Sequence, residues 1–230
     1  MKTIGLLGGM SWESTVEYYR IINEEVKKRL GGLNSAKCLL YSVNFAEIEY
    51  YQRTNQWEKA AQVLMEAARK LQRGGADFIL LCTNTMHKLA DQIQGAVDIE
   101  FIHIATATAE EIRKANKKRI GLLGTRYTME QDFYKGALED YGIEVLIPTE
   151  KDRELIHGVI FTELCLGRIN RESRKEFQRI SRDLIATGAE GIVLGCTELG
   201  LLVKGDDGVV PIFDTTRIHA QRAVERALEV

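Results

Sequence analysis

The sequence predicts an α/β protein of two similar halves, each a parallel sheet with helices on both faces. Three observations carry that expectation. Short apolar runs alternate with longer amphipathic stretches along the whole chain, the pattern that builds parallel sheets. Ile4-Gly5-Leu6-Leu7-Gly8 returns as Ile120-Gly121-Leu122-Leu123-Gly124, an offset of 116 (120 − 4). Gly75–Thr85 aligns without a gap to Gly188–Glu198, an offset of 113 (188 − 75). Two anchors at nearly one offset point to a duplicated domain, and the period is too long for a solenoid. The expected division is 1–98 plus 214–230 for the first Rossmann-like domain and 99–213 for the second. The two are expected to be related by a pseudo-twofold axis. No Pro- or Ser-rich linker separates them, so they are expected to pack closely around a shared cleft.

Each element follows in order. Ile4 to Leu7 is an apolar strand ending in Gly8-Gly9-Met10-Ser11, and an amphipathic helix runs from Trp12 to Leu30. The opening lacks GxGxxG spacing and a Walker lysine, so it reads as a turn whose amides face an anion at a helix N-terminus. Cys38–Phe45 is a second strand, and Ala46–Asn55 a connecting segment carrying Tyr50, Tyr51 and Arg53. A helix from Gln56 to Arg73 stops at Gly74-Gly75. Then come the strand Phe78–Leu81, a turn Cys82–Thr85, a helix beginning near Met86, a strand Phe101–Ala105 and a helix Thr106–Asn116. After the second IGLLG, Glu144–Ile147 is a strand closed by Pro148, and Asp152–Leu166 and Arg171–Thr187 are helices. The strand Ile192–Leu194 precedes Gly195-Cys196. Val209–Phe213 is the last strand, and Thr215–Val230 is a last helix that crosses back to the first half.

Composition narrows the function. The chain is 45% hydrophobic and 28% charged with a net charge of −2, so it carries no basic footprint for nucleic acid. It has no long uncharged apolar run for a membrane span, and its first residues enter a strand rather than a signal peptide. Four scattered cysteines, Cys38, Cys82, Cys165 and Cys196, form neither a disulfide framework nor a zinc pattern. A reducing cytoplasm is the expected location.

The chemistry concentrates at the repeated strand ends. Ligands of open α/β sheets bind beyond the carboxyl ends of the strands. There the second half places Cys196, Thr197 and Glu198, and the repeat sets Thr83 opposite Cys196. A proton-transferring group on either side of a tetrahedral carbon suits removal of a proton from one face and its return to the other, which is racemisation or epimerisation.

The residues that carry this pattern resemble the cofactor-independent aspartate/glutamate racemase superfamily, nearest its aspartate-racemase and broad-specificity amino-acid racemase branch. The matching motifs are Ile4–Met10 (IGLLGGM), the stretch ending CTNTMH at His87, and Gly188–Glu198 (GAEGIVLGCTE). The resemblance implies an amino-acid substrate, two facing cysteines as base and acid, no pyridoxal phosphate or metal, and a homodimer. It assigns Cys196 as the second cysteine and puts Thr83 in the place of the first. Cys82 lies one residue earlier and is expected to point away.

A thiol ionises near pH ~8.5 whereas a hydroxyl is far less acidic. In the family it resembles, the second cysteine acts on the L-enantiomer, so the resemblance implies Cys196 as the base toward L-substrates, with Thr83 as a proton donor that returns protons slowly. The implied substrate-binding residues are Met10 in the first turn, Arg53, Asn84 and Thr85. In the second half they are Thr125, Cys165, Thr197 and Glu198. Cys165 falls where aspartate racemases place a lysine for the distal carboxylate, which keeps neutral polar amino acids such as homoserine among the candidates. His87 is read as packing at a helix start and His103 as a core histidine. Two other readings stay open: a maleate- or hydantoin-type isomerase, and an amino-acid-binding protein that has lost catalysis.

Overall fold

The computed structural model describes residues 1–203 and 210–229. The start of the expected strand at Val209 and the end of the last helix at Val230 lie outside these residues. The chain divides into two compact units, one of Met1–His103 with His219–Val230 and one of Ile104–Ile218.

The first unit runs β1 (Ile4–Gly8), α1 (Trp12–Leu30), β2 (Cys38–Ser42), α2 (Phe45–Arg53), α3 (Trp57–Arg73), β3 (Phe78–Leu81), a 3-10 turn (Thr85–Leu89), α4 (Ala90–Gln94) and β4 (Glu100–Ile102). Its four strands are parallel in the order β2-β1-β3-β4. Side chains alternate across a strand, and the alternation divides the core in two. Ile4, Leu6, Phe78 and Leu80 meet Tyr18, Ile22 and Val26 of α1 on one face. Leu7, Ile79 and Leu81 meet Leu64, Ala68 and Leu71 of α3 on the other.

The second unit runs α5 (Ile104–Lys114), β5 (Arg119–Gly124), α6 (Arg126–Glu130), α7 (Asp132–Glu139), β6 (Glu144–Leu146), α8 (Glu150–Thr162), a 3-10 turn (Leu164–Leu166), α9 (Arg171–Ala186), β7 (Ile192–Gly195), α10 (Leu199–Leu202) and β8 (Ile212–Asp214). Its sheet is again parallel, ordered β6-β5-β7-β8. Outer strand, first strand, third strand, fourth strand is thus the order in both units, as a duplication requires. The last helix, α11 (Thr215–Leu228), puts Ala220, Ala223, Val224 and Ala227 into the α1 face of the first unit's core. No helix among the described residues is long and apolar enough to cross a membrane.

Several expectations fail locally. The expected strand Phe101–Ala105 is the shorter β4, and Ile104 and Ala105 belong to α5. Ala46–Asn55 is not a connecting segment but most of α2, because the Asn44 side chain caps Ala46 N–H and Ile48 and Gln52 supply a buried stripe one turn apart. The helix expected through Leu166 ends at Thr162. Glu163 leaves helical geometry, its carboxylate accepts from Ser173 Oγ at 2.7 Å, and Gly167 closes the following turn at φ +69°.

Candidate active site

The candidate residues lie at the carboxyl ends of the central strands of each unit, those of the second unit beside β5 and β7. β5 and β7 run side by side with Gly124 paired to Gly195. A Cβ on Gly124 would come within 2.7 Å of the Gly195 carbonyl, so both backbones approach where only glycine fits. The chain leaves β7 at Cys196, pinned by Leu199 N–H on the Cys196 carbonyl and by Thr215 Oγ1 on the Leu194 carbonyl. Cys196, Thr197 and Glu198 are all buried.

The Cys196 thiol donates to Glu198 Oε2 at 3.0 Å, and Thr197 Oγ1 donates to the same oxygen at 2.9 Å. Two donors converge on one buried carboxylate oxygen, which offsets the cost of burying the charge. Burial, then the negative charge of Glu198, pushes the Cys196 thiol well above its ordinary value, and Cys165 adds to the rise. The Glu198 backbone N–H donates to the sulfur and works in the opposite direction. At neutral pH the group is a thiol hydrogen-bonded to a proton acceptor.

In the first unit the corresponding turn holds Thr83, Asn84 and Thr85, all buried. Thr83 is fixed through both of its backbone groups. Its N–H donates to the Leu81 carbonyl at 2.9 Å, and its carbonyl accepts from His87 Nδ1 at 2.7 Å. Cys82 points into the core beside Ile4 and Leu80 with no exposed surface. Burial raises its thiol far above the usual range, so it offers no ready thiolate.

The remaining expected residues divide by environment. Met10 is buried among Leu7, Ile48 and Met86 in the α3-side core. The N–H of Gly9, in the turn expected to face an anion, is already donated to Thr15 Oγ1 at 2.9 Å. Gly9 holds φ +92°, and a Cβ there would meet the Val43 carbonyl at 2.3 Å. Arg53 ends α2 with its side chain 64% exposed, 3.3 Å from Glu49 and over the Tyr50 ring. Thr125 caps α6 by accepting from Thr128 N–H. Cys165 sits in the 3-10 turn, half-buried against the second unit's core.

The chain matches the Asp/Glu/hydantoin racemase family over residues 7–223. It belongs to that family.

Among racemase relatives, the broad-specificity amino-acid racemase RacX of Bacillus subtilis (strain 168) is 26% identical over 230 residues, covering 98% of both chains. Two solved structures align over their full lengths and over the whole of this chain. A candidate Asp/Glu racemase from Yersinia pestis shares 54% identity at a TM-score of 0.91. An aspartate racemase homologue from Pyrococcus horikoshii OT3 shares 36% at 0.86.

Two features of this fold have little signal in the sequence. One is the pinning of the second turn by hydroxyls, with Thr216 adding a 3.5 Å contact to the Thr197 carbonyl. Its only signal was Thr-Thr opening a helix after Asp214. The other is the His87 bond to Thr83, whose signal was the four-residue spacing that brings a side chain back over a carbonyl one turn earlier. Among the described residues no three His, Cys, Asp or Glu side chains are grouped as a metal site would need.

Proposed function

We propose that this protein is a cofactor-independent amino-acid racemase with unequal halves, in which Cys196 takes the α-proton of an L-amino acid and Thr83 returns one to the opposite face. The observation that carries the proposal is the buried Cys196–Glu198 pair at 3.0 Å. A raised thiol is a poor base by itself, but beside a carboxylate it can pass its proton to Glu198 and meet the substrate as a thiolate. The sulfur then takes the α-proton and becomes a thiol again. The Thr83 hydroxyl protonates the carbanion, and the proton held by Glu198 returns through solvent to the Thr83 oxygen. Protons balance over the cycle.

Asn84, Thr85 and Thr197 would hold the α-carboxylate and ammonium, with Thr125 and the Met10 turn bordering them. Arg53 is available for a carboxylate, since its exposed pairing with Glu49 is worth only ~0.5 kcal/mol and is readily exchanged. The half-buried Cys165 brings no positive charge, which supports small polar amino acids as well as aspartate and glutamate.

Four free thiols favour a reducing cytoplasm. Trp12, Val16 and Tyr19, exposed along one face of α1, favour a homodimer. The replacement of a thiol by Thr83 also favours a second reading, a binding protein of the same fold without turnover.

Proton NMR in D₂O with L-aspartate, L-glutamate and L-homoserine distinguishes the two. Loss of the α-proton signal by the wild type and not by Cys196→Ala supports the racemase. Binding without exchange supports the binding protein.

A further inference from the structure

We infer that His87 is a positioning residue for the proton-returning half of the reaction, holding Thr83 in place through a fixed neutral tautomer. The inference rests on the reading of Thr83 as the acid. A backbone carbonyl only accepts, so the 2.7 Å contact from His87 Nδ1 to the Thr83 carbonyl requires the proton on Nδ1. The His87 backbone N–H meets the next carbonyl, Asn84, at 3.0 Å. One residue therefore secures the carbonyls of both Thr83 and Asn84 from the far side of the turn. With its own N–H on Leu81, Thr83 has no free backbone group through which to shift.

The histidine is itself held. Its ring lies edge-on to His103 at 4.6 Å and against Phe101 and His219 at 5.4 and 5.9 Å. His219 is fixed in turn between the Tyr18 hydroxyl at Nδ1 and the Ile102 carbonyl at Nε2. The carbonyl makes Nε2 the donor and leaves Nδ1 to accept from Tyr18. Burial, followed by the neighbouring His103 and His219, holds His87 well below the ordinary imidazole value, so the neutral form persists at working pH.

The internal duplication separates this role from a demand of the fold. At the offset of 113, His87 corresponds to Gly200, and the second unit forms the same sheet order with no side chain there. The histidine belongs to the half in which a hydroxyl has replaced the thiol. A weak acid must be aimed well, because misplacement by ~1 Å costs on the order of a hundredfold.

The test follows L-aspartate and L-glutamate in D₂O and records, in one sample, α-deuterium gained with retention and α-deuterium gained with inversion. Their ratio does not depend on the fraction of protein folded. His87→Leu is expected to raise the retention-to-inversion ratio about tenfold or more. His87→Asn, which keeps an N–H at the same distance along the side chain, is expected to restore it most of the way. An unchanged ratio in His87→Leu, beside Thr83→Ala that loses inversion, overturns the inference and leaves the Thr83 reading standing. Inversion that survives Thr83→Ala, or no exchange by the wild type with either amino acid, overturns that reading and the inference with it.

Discussion

The Cys196 thiol donates to the Glu198 carboxylate across 3.0 Å, in a buried turn where the same oxygen also takes the Thr197 hydroxyl. In the proposed mechanism this contact gives the proton of a thiol raised by burial somewhere to go. Glu198→Gln removes the charge that disfavours the thiolate but also the acceptor. The pH profile of Cys196 alkylation by iodoacetamide is expected to move to lower pH, while exchange from L-aspartate falls ~10- to 100-fold. An unmoved alkylation profile would contradict the assigned pairing.

In the proposed mechanism Thr83 limits the D-side, because a hydroxyl is a poor base. Thr83→Cys supplies a thiol at that position, and exchange of the D-aspartate α-proton is expected to rise at least ~10-fold. The L-side rate should change less. Chiral chromatography of reactions begun from each enantiomer checks this.

The close approach of Gly124 and Gly195 gives a stability prediction with a built-in control. Gly124→Ala drives a Cβ against the Gly195 carbonyl at 2.7 Å and is expected to cost about 1–3 kcal/mol. Gly136, inside α7, has nothing within 4 Å of a built Cβ, so Gly136→Ala is expected to stabilise by about 0.5–1 kcal/mol. Thermal unfolding of the two variants should move in opposite directions.

The buried histidines make stability fall in acid. Burial lowers His219 to about 3 and holds His87 well below its ordinary value. Both bind a proton more readily unfolded than folded. Their contribution to stability is therefore complete above the unfolded value near 6.5 and is lost as pH falls toward the folded value. The loss should approach ~1.4 kcal/mol per pH unit for each histidine. His219→Gln should flatten the fall in unfolding midpoint between pH 6 and pH 4.

Much of this was legible because the central strands are buried on both faces. Ile4–Gly8, Phe78–Leu81 and Ile192–Gly195 are fully buried and read as unbroken apolar runs. The outer strands have one wet side, so their ends are poorly marked in sequence: the expected Cys38–Phe45 is Cys38–Ser42. Helix α2 was missed because its two buried residues are Ile48 and Gln52, too few and too polar to set a period. The meeting of Cys196 and Glu198 follows from their closeness in sequence and is legible there. The bond from His87 to Thr83 has only its four-residue spacing as a signal, and it closes over a 3-10 turn where a regular helix is expected.

The most direct test of the unequal pair compares α-deuterium exchange rates for L- and D-aspartate, and for L- and D-glutamate, under identical conditions. Exchange is expected to depend on Cys196 and to be at least ~10-fold faster from the L-enantiomer. Equal rates from both enantiomers would contradict it.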